Sequence, residues 1–294
     1  MVYLKVRGKK NSILRILVVT AVIAVVSCAF SLYQSKYFLE ISHYEIHSEK
    51  VKTPIRIVQL SDLHNSVFGK DNSDLIRAVA EQEPDIILLT GDMLNFDEAE
   101  YATASLVTEK LSEIAPVYFS YGNHEIAYEQ RYGLDLTQVF EEAGARVLDF
   151  AYEDLECRGQ SIRLGGIFGY CLPDLEGKDL WPEETKFLKN FQNTDKLTVL
   201  MCHMPVSWMD YGSLESWQVD VIFSGHAHGG QVRLPLIGGL YAPDQEWFPG
   251  REEGLYDSKD GERTLVLSRG LGSSTLIPRF NNRPELVTVD IVPD

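Results

Sequence analysis

Five apolar runs in this chain stop at the same kind of place. IRIVQL (55–60), DIILLT (85–90), VYFSY (117–121), LTVLMC (197–202) and VDVIFS (219–224) are short, rich in β-branched residues and bounded by turn formers, which is how buried strands read. Within four residues of each end stand side chains able to bind a cation: Asp62 and His64, then Asp92, then Asn123 and His124, then His203, then His226 and His228. Five of the seven histidines of the chain lie at these junctions. In an open α/β sheet, ligands bind in the crevice at the carboxyl ends of the strands, so these scattered side chains are predicted to converge. In SGHAHGGQ (224–231), two residues apart in an extended segment point the same way, so His226 and His228 can face one object.

Further strands are predicted at SIRLGGIF (161–168), RTLVLS (263–268) and ELVTVDI (285–291). Helical patterns lie at 72–82, 97–115, 131–143 and 183–192. Alternation of this kind implies an α/β layered domain with helices on both faces of the strands.

The run Ile16–Leu32 is apolar apart from small or hydroxyl-bearing residues and follows Lys5, Arg7, Lys9, Lys10 and Arg15. Its length and the one-sided positive charge predict a membrane anchor over 12–33. The basic N-terminus, 1–11, is expected in the cytoplasm and the rest of this single-pass protein outside the cell membrane. The rivals are a cleaved secretory signal and, at VVSC (25–28), a lipoprotein processing site that leaves Cys28 lipidated. The polar stretch 34–53 reads as a stalk and 54–294 as the catalytic domain. The formal charge is −16 although residues 1–36 carry six basic side chains and no acidic one, so the domain itself is strongly acidic and nucleic acid is an unlikely partner. Cys157, Cys171 and Cys202 show neither a disulfide framework nor a cysteine zinc site.

Each candidate ligand has a duller reading on its own. An isolated Asp62 or Asp92 is usually a cap or a turn residue, an isolated His203 a buried, hydrogen-bonded histidine, and Asn123 after Gly122 a turn. Their joint occurrence favours a polynuclear metal site, and Gly91, Gly122, Gly225 and Gly229 then read as sharp backbone turns beside it. Mixed imidazole and carboxylate donors suit Mn, Fe or Zn better than Mg or Ca, which prefer oxygen cages. Two such ions lower the pKa of a water and clamp a phosphoryl group, so no serine or cysteine nucleophile is required.

The series Asp-x-His, Gly-Asp, Gly-Asn-His-Glu, a lone His and Gly-His-x-His resembles the calcineurin-like metallophosphoesterases over residues 55–291. The resemblance implies a four-layer α/β/β/α sandwich holding two divalent metal ions. Asp62, His64 and His228 would bind one ion, Asn123, His203 and His226 the other, and Asp92 would bridge them. His124 would be the catalytic histidine, protonating the leaving group, with Glu125 an orienting acid. The activity implied is hydrolysis of a phosphodiester, pyrophosphate or phosphomonoester. GDMLNFD departs from the Gly-Asp-x-x-Asp-Arg-Gly of the protein phosphatases, with Asn95 and Phe96 at the second Asp and the Arg, which argues against phosphoprotein substrates. The tail SRGLGSSTLIPRFNNRPELVTVDI resembles a membrane-associated bacterial branch, some members of which cleave the pyrophosphate of a UDP-linked diacylglucosamine, so the substrate is small or lipid-linked. Arg279 and Arg283 read as exposed loop arginines, with phosphate contact the rarer alternative. Trp247 and Phe248 read as packed loop residues, with a lid or lipid contact as the alternative. A scaffold that keeps the fold without turnover is the alternative to the enzyme.

Overall fold

The computed structural model describes residues 2–173, 182–243, 245–273 and 277–294. The helices are α1 (Val2–Tyr37), α2 (Ser73–Ala80), α3 (Ala102–Ser112), α4 (Asn123–Tyr132), α5 (Leu136–Glu142), α6 (Pro182–Phe191), α7 (Val206–Asp210) and α8 (Ser213–Ser216). The first nine strands are β1 (Glu40–His47), β2 (Ile55–Leu60), β3 (Ile86–Leu89), β4 (Val117–Phe119), β5 (Ala145–Val147), β6 (Ala151–Cys157), β7 (Gln160–Ile167), β8 (Leu197–Cys202) and β9 (Val221–Ser224). Four two-residue strands follow: β10 (Arg233–Leu234), β11 (Gly238–Gly239), β12 (Tyr241–Ala242) and β13 (Glu246–Trp247). The chain closes with β14 (Gly254–Asp257), β15 (Thr264–Leu267) and β16 (Glu285–Val292).

Two six-stranded mixed sheets form, ordered β1-β16-β2-β3-β4-β5 and β14-β15-β9-β8-β7-β6. Alternation along each strand decides how they stack. In β2, Ile55 and Ile57 point into a core shared with Leu164, Val199, Met201 and Phe223 of the other sheet, while Val58 and Leu60 point outward to Leu75, Val79, Val107 and Phe140. The outer face of the second sheet packs Leu200, Ile222 and Leu265 against Phe187, Phe191, Trp208 and Trp217. These are the four layers α/β/β/α. Each fully buried isoleucine or leucine adds ~1.5–3 kcal/mol of burial free energy, so both sheets are held face to face by side chains that cannot change register without exposing them.

Two boundaries differ from the sequence expectation. The stretch 34–53 is not a plain stalk. Its EISHYEIH forms β1, parallel to β16 in register from Glu40 opposite Glu285 to His47 opposite Val292. Polar side chains alternate with apolar ones there because this is an edge strand with one covered face. The apolar N-terminal stretch is one continuous helix, α1, whose Ile16, Leu17, Val18, Ile23 and Val25 are bare. At its end Ser31 and Ser35 are buried, where their hydroxyls accept the backbone N–H groups of Asn281 (2.9 Å) and Asn282 (3.1 Å).

Candidate metal centre

The ends of β2, β3, β8 and β9 and the start of α4 deliver the candidate side chains to one crevice. Asp62, His64, Asp92, His226 and His228 all have positive φ, between 47° and 68°. Non-glycine residues adopt this region rarely and at a cost of order 1–3 kcal/mol each, so five together mark a place where the surrounding structure holds the backbone against its preference. The holding bonds are visible. Asp62 N–H donates to Gly91 O (3.0 Å), His64 N–H to Asp92 O (3.1 Å) and Gly225 N–H to His203 O (3.1 Å). The buried Glu125 carboxylate accepts the N–H groups of Asp92, Met93 and Gly122, each at 2.8 Å. It is thus the orienting acid and not a donor to the cluster; burial, with Asp92 nearby, raises its pKa to about 7 although the Gly122 and Asp92 N–H groups favour the charged form. Gly122 and Gly225 leave no room for a side chain: a Cβ would stand 2.2 Å from Asp92 Oδ1 at the first and 2.3 Å from Asp62 Oδ2 at the second.

Three buried groups result: Asp62 with His64 and His228, His64 with Asp92 and His124, and Asp92 with His203 and His226, each with its donor atoms within 4.8 Å of one another. The groups share His64 and Asp92, so they form one continuous site. His203 Nε2 lies 3.2 Å and His64 Nε2 3.7 Å from the same Asp92 oxygen, Oδ2, and His228 Nε2 lies 3.6 Å from Asp62 Oδ1. The atoms His64 Nε2 and Asn123 Oδ1 are buried with no hydrogen-bond partner among the described residues. A buried donor or acceptor left unpaired costs about 1–3 kcal/mol. These atoms therefore aim at something other than protein, and imidazole nitrogens interleaved with carboxylates fit divalent cations of the Mn, Fe or Zn type.

The far sides of the rings set which nitrogen faces inward. His203 Nδ1 is 2.7 Å from Thr90 O, so it carries the proton and leaves Nε2 as the donor to the cluster. His64 Nδ1 is 3.1 Å from Asn95 Oδ1, and the same amide donates from Nδ2 to His64 O (3.2 Å), which fixes its orientation. His124 is reversed. The Phe96 N–H donates to its Nδ1 (3.2 Å), which puts the ring proton on Nε2, 3.9 Å from Asp92 Oδ2. Burial lowers His64 to a pKa of about 4 and His228 to about 3. Burial also opposes charge on His203, but the Asp92 carboxylate overrides it and carries that ring up to about 10. Two of these three rings are thus neutral at pH 7, and a cation bound at the third would displace its proton.

Arg279 corrects the reading of it as an exposed loop arginine. It is 5% exposed, donates to Gly272 O (2.7 Å) and Arg269 O (2.6 Å), and its Nη2 stands 3.3 Å from His228 Nδ1. Arg283 is exposed and reaches Gln34 of α1 (3.0 Å). Trp247 and Phe248, expected to pack, are 69% and 63% exposed. Gln231 is structural, its amide donating to Ser273 Oγ (2.6 Å) and to the Ile277 carbonyl. The roles of Asn95, Thr90 and Arg279 behind the rings have no signal in sequence spacing.

Comparison with known proteins agrees with this geometry. The profile of a family described as calcineurin-like phosphoesterase matches residues 55–230. Phosphodiesterase YaeI of Escherichia coli (strain K12) is 30% identical over 244 residues, covering 81% of this chain and 83% of that protein. An uncharacterized metallophosphoesterase of Aquifex aeolicus (strain VF5) is 28% identical over 286 residues, covering 92% and 97%. UDP-2,3-diacylglucosamine pyrophosphatase LpxG of Chlamydia muridarum (strain MoPn / Nigg) is 26% identical over 283 residues, covering 79% and 82%.

Proposed function

The chain belongs to the calcineurin-like phosphoesterase family, and from that membership we propose that it is a membrane-anchored, dinuclear phosphoesterase that hydrolyses a phosphodiester or pyrophosphate. The observation that carries the reading is the run of buried donors converging on Asp92 Oδ2, with His203 Nε2 on one side and His64 Nε2 on the other. In this assignment Asp62, His64 and His228 would hold one divalent ion, Asn123, His203 and His226 would hold the second, and Asp92 would contribute to both. Such a pair of ions, when bound, supplies a water of lowered pKa and neutralises charge on the phosphoryl group.

The chain's own residues do the rest. Glu125 and the backbone bonds at Gly91 and Asp92 keep the Asp92 carboxylate pointing between the two histidine groups. His124 offers a neutral Nε2–H toward the site, because the Phe96 N–H occupies its Nδ1 and burial lowers the ring's pKa, and this N–H is suited to donating a hydrogen bond to charge that develops on the leaving oxygen. The Phe96 backbone N–H orients this ring through its Nδ1. The names of two relatives, a phosphodiesterase and a UDP-2,3-diacylglucosamine pyrophosphatase, point to phosphodiester and pyrophosphate linkages. Anchoring rests on the 26-residue, predominantly apolar span Ser12–Tyr37 of α1, preceded by basic residues, which favours a cytoplasmic N-terminus and an extracytoplasmic domain.

The test is hydrolysis of bis-p-nitrophenyl phosphate by the Mn²⁺-loaded protein, abolished by chelation. His124→Ala is expected to retain its metals and lose kcat by about 10²- to 10³-fold. Turnover that survives chelation overturns the dinuclear assignment, and a metal-loaded protein inert toward every phosphoester supports a scaffold instead.

A further inference from the structure

Beside the metal centre lies a cavity of about 400 Å³, within the size range of small-molecule sites. Val232, Leu240, Tyr241, Pro243, Trp247 and Ile277 make its apolar wall, and His228 belongs to the same wall. Gln231, also there, has its amide committed to Ser273 and the Ile277 carbonyl. A phosphoester held at His228 thus has hydrocarbon lining, and almost nothing polar, immediately to one side. A nucleotide base, a sugar or a second phosphate would lose its water there and gain no hydrogen bond in return.

The surroundings of the cavity point the same way. Trp247 and Ile277 are 69% and 59% exposed although they wall it, and Leu236, Ile237 and Phe248 stand bare on the neighbouring loops. Isolated exposed apolar residues are ordinary, but a cluster around a cavity mouth marks an interaction site. The segment that walls the cavity through Ile277 is tied to the end of α1 through Asn281 and Asn282, four and five residues later. Between these points Arg279 touches His228 on one side and lines a recess with Leu32 and Ser35 of α1 on the other. The membrane helix, the metal centre and the apolar mouth are therefore one contiguous structure.

We propose that this cavity binds the hydrocarbon chain of the substrate, so that the enzyme acts on amphiphilic phosphoesters whose chain enters past Trp247 and Ile277 while the phosphate sits at His228. The inference deepens the phosphoesterase reading and rests on it. Its test uses the full-length, Mn²⁺-loaded protein in nanodiscs and a series of p-nitrophenyl alkyl phosphates from methyl to octyl. From methyl to hexyl, kcat/KM is expected to rise on the order of 10²-fold, and the rise to collapse in Val232→Phe, which fills the cavity, and in Ile277→Glu, which charges its mouth. A flat series, or a rise that survives both substitutions, overturns the proposal. Failure to hydrolyse even the methyl ester refutes the phosphoesterase reading and not the cavity, which binding then tests by itself. Saturable quenching of tryptophan fluorescence by 12-bromododecylphosphonate, lost in Trp247→Phe, supports it, and no quenching overturns it.

Discussion

Asn95 shows what a single side chain contributes without touching a cation. Its Oδ1 accepts from His64 Nδ1 at 3.1 Å and its Nδ2 donates to His64 O at 3.2 Å, so one amide fixes both the tautomer and the tilt of that ring. Partners of this kind are typically worth 10- to 100-fold in metal affinity. Asn95→Leu is therefore expected to weaken Mn²⁺ binding by about that factor, read by calorimetric titration, while far-UV circular dichroism stays unchanged. A second residue-scale prediction concerns protons. At pH 7 His64 and His228, with pKa values of about 4 and 3, are already neutral, whereas His203 at about 10 is charged. Filling the site should release about one proton, measured as the dependence of binding enthalpy on buffer ionisation, and affinity should climb with pH until His203 is neutral. The side chains that converge in the crevice stood out in the sequence because each follows an apolar run within four residues. Arg279 did not, since it is 51 residues from the His228 it meets and only the path of the intervening strands and turns brings them together.

At the level of elements, the strands read from the sequence are those with a continuous apolar run, and their ends lie within a residue or two of the expected positions. IRIVQL and LTVLMC coincide with β2 and β8. β1 escaped because an edge strand with one covered face mixes His43, Glu45 and His47 into its apolar pattern, and β10 to β13 are two residues each, too short for any period to show. The helix read over 131–143 is in fact the end of α4 and the whole of α5, separated by Gly133 in the left-handed conformation that ends α4. What the strand ends carry depends on the turns after them. Gly225→Ala would press a methyl group to within 2.3 Å of Asp62 Oδ2 and 1.9 Å of Ser61 Oγ. That variant is expected to bind metal at least ~10-fold more weakly, with loss of thermal stability, in a side-by-side titration and melt against the parent.

For the whole molecule, the domain boundary matters more than any one contact. The sequence places the start of the domain at residue 54, yet β1 supplies the outer edge of the first sheet, buries Ile46 against it and sets Glu40 3.2 Å from Arg269. Removal of residues 1–37 is expected to leave a folded, metal-binding protein that no longer sediments with membranes. Removal of 1–53 should cost a further ~3 kcal/mol or more, equivalent to roughly 6–12 °C in melting temperature. A pair of deletions with the same melting temperature would show β1 to be dispensable. Only Phe38 and Leu39 separate α1 from β1. With α1 standing in a bilayer, a joint that short works as a bolt and not a leash. The crevice would hover at one constant height and face one constant way, turned toward whatever drifts laterally beneath it.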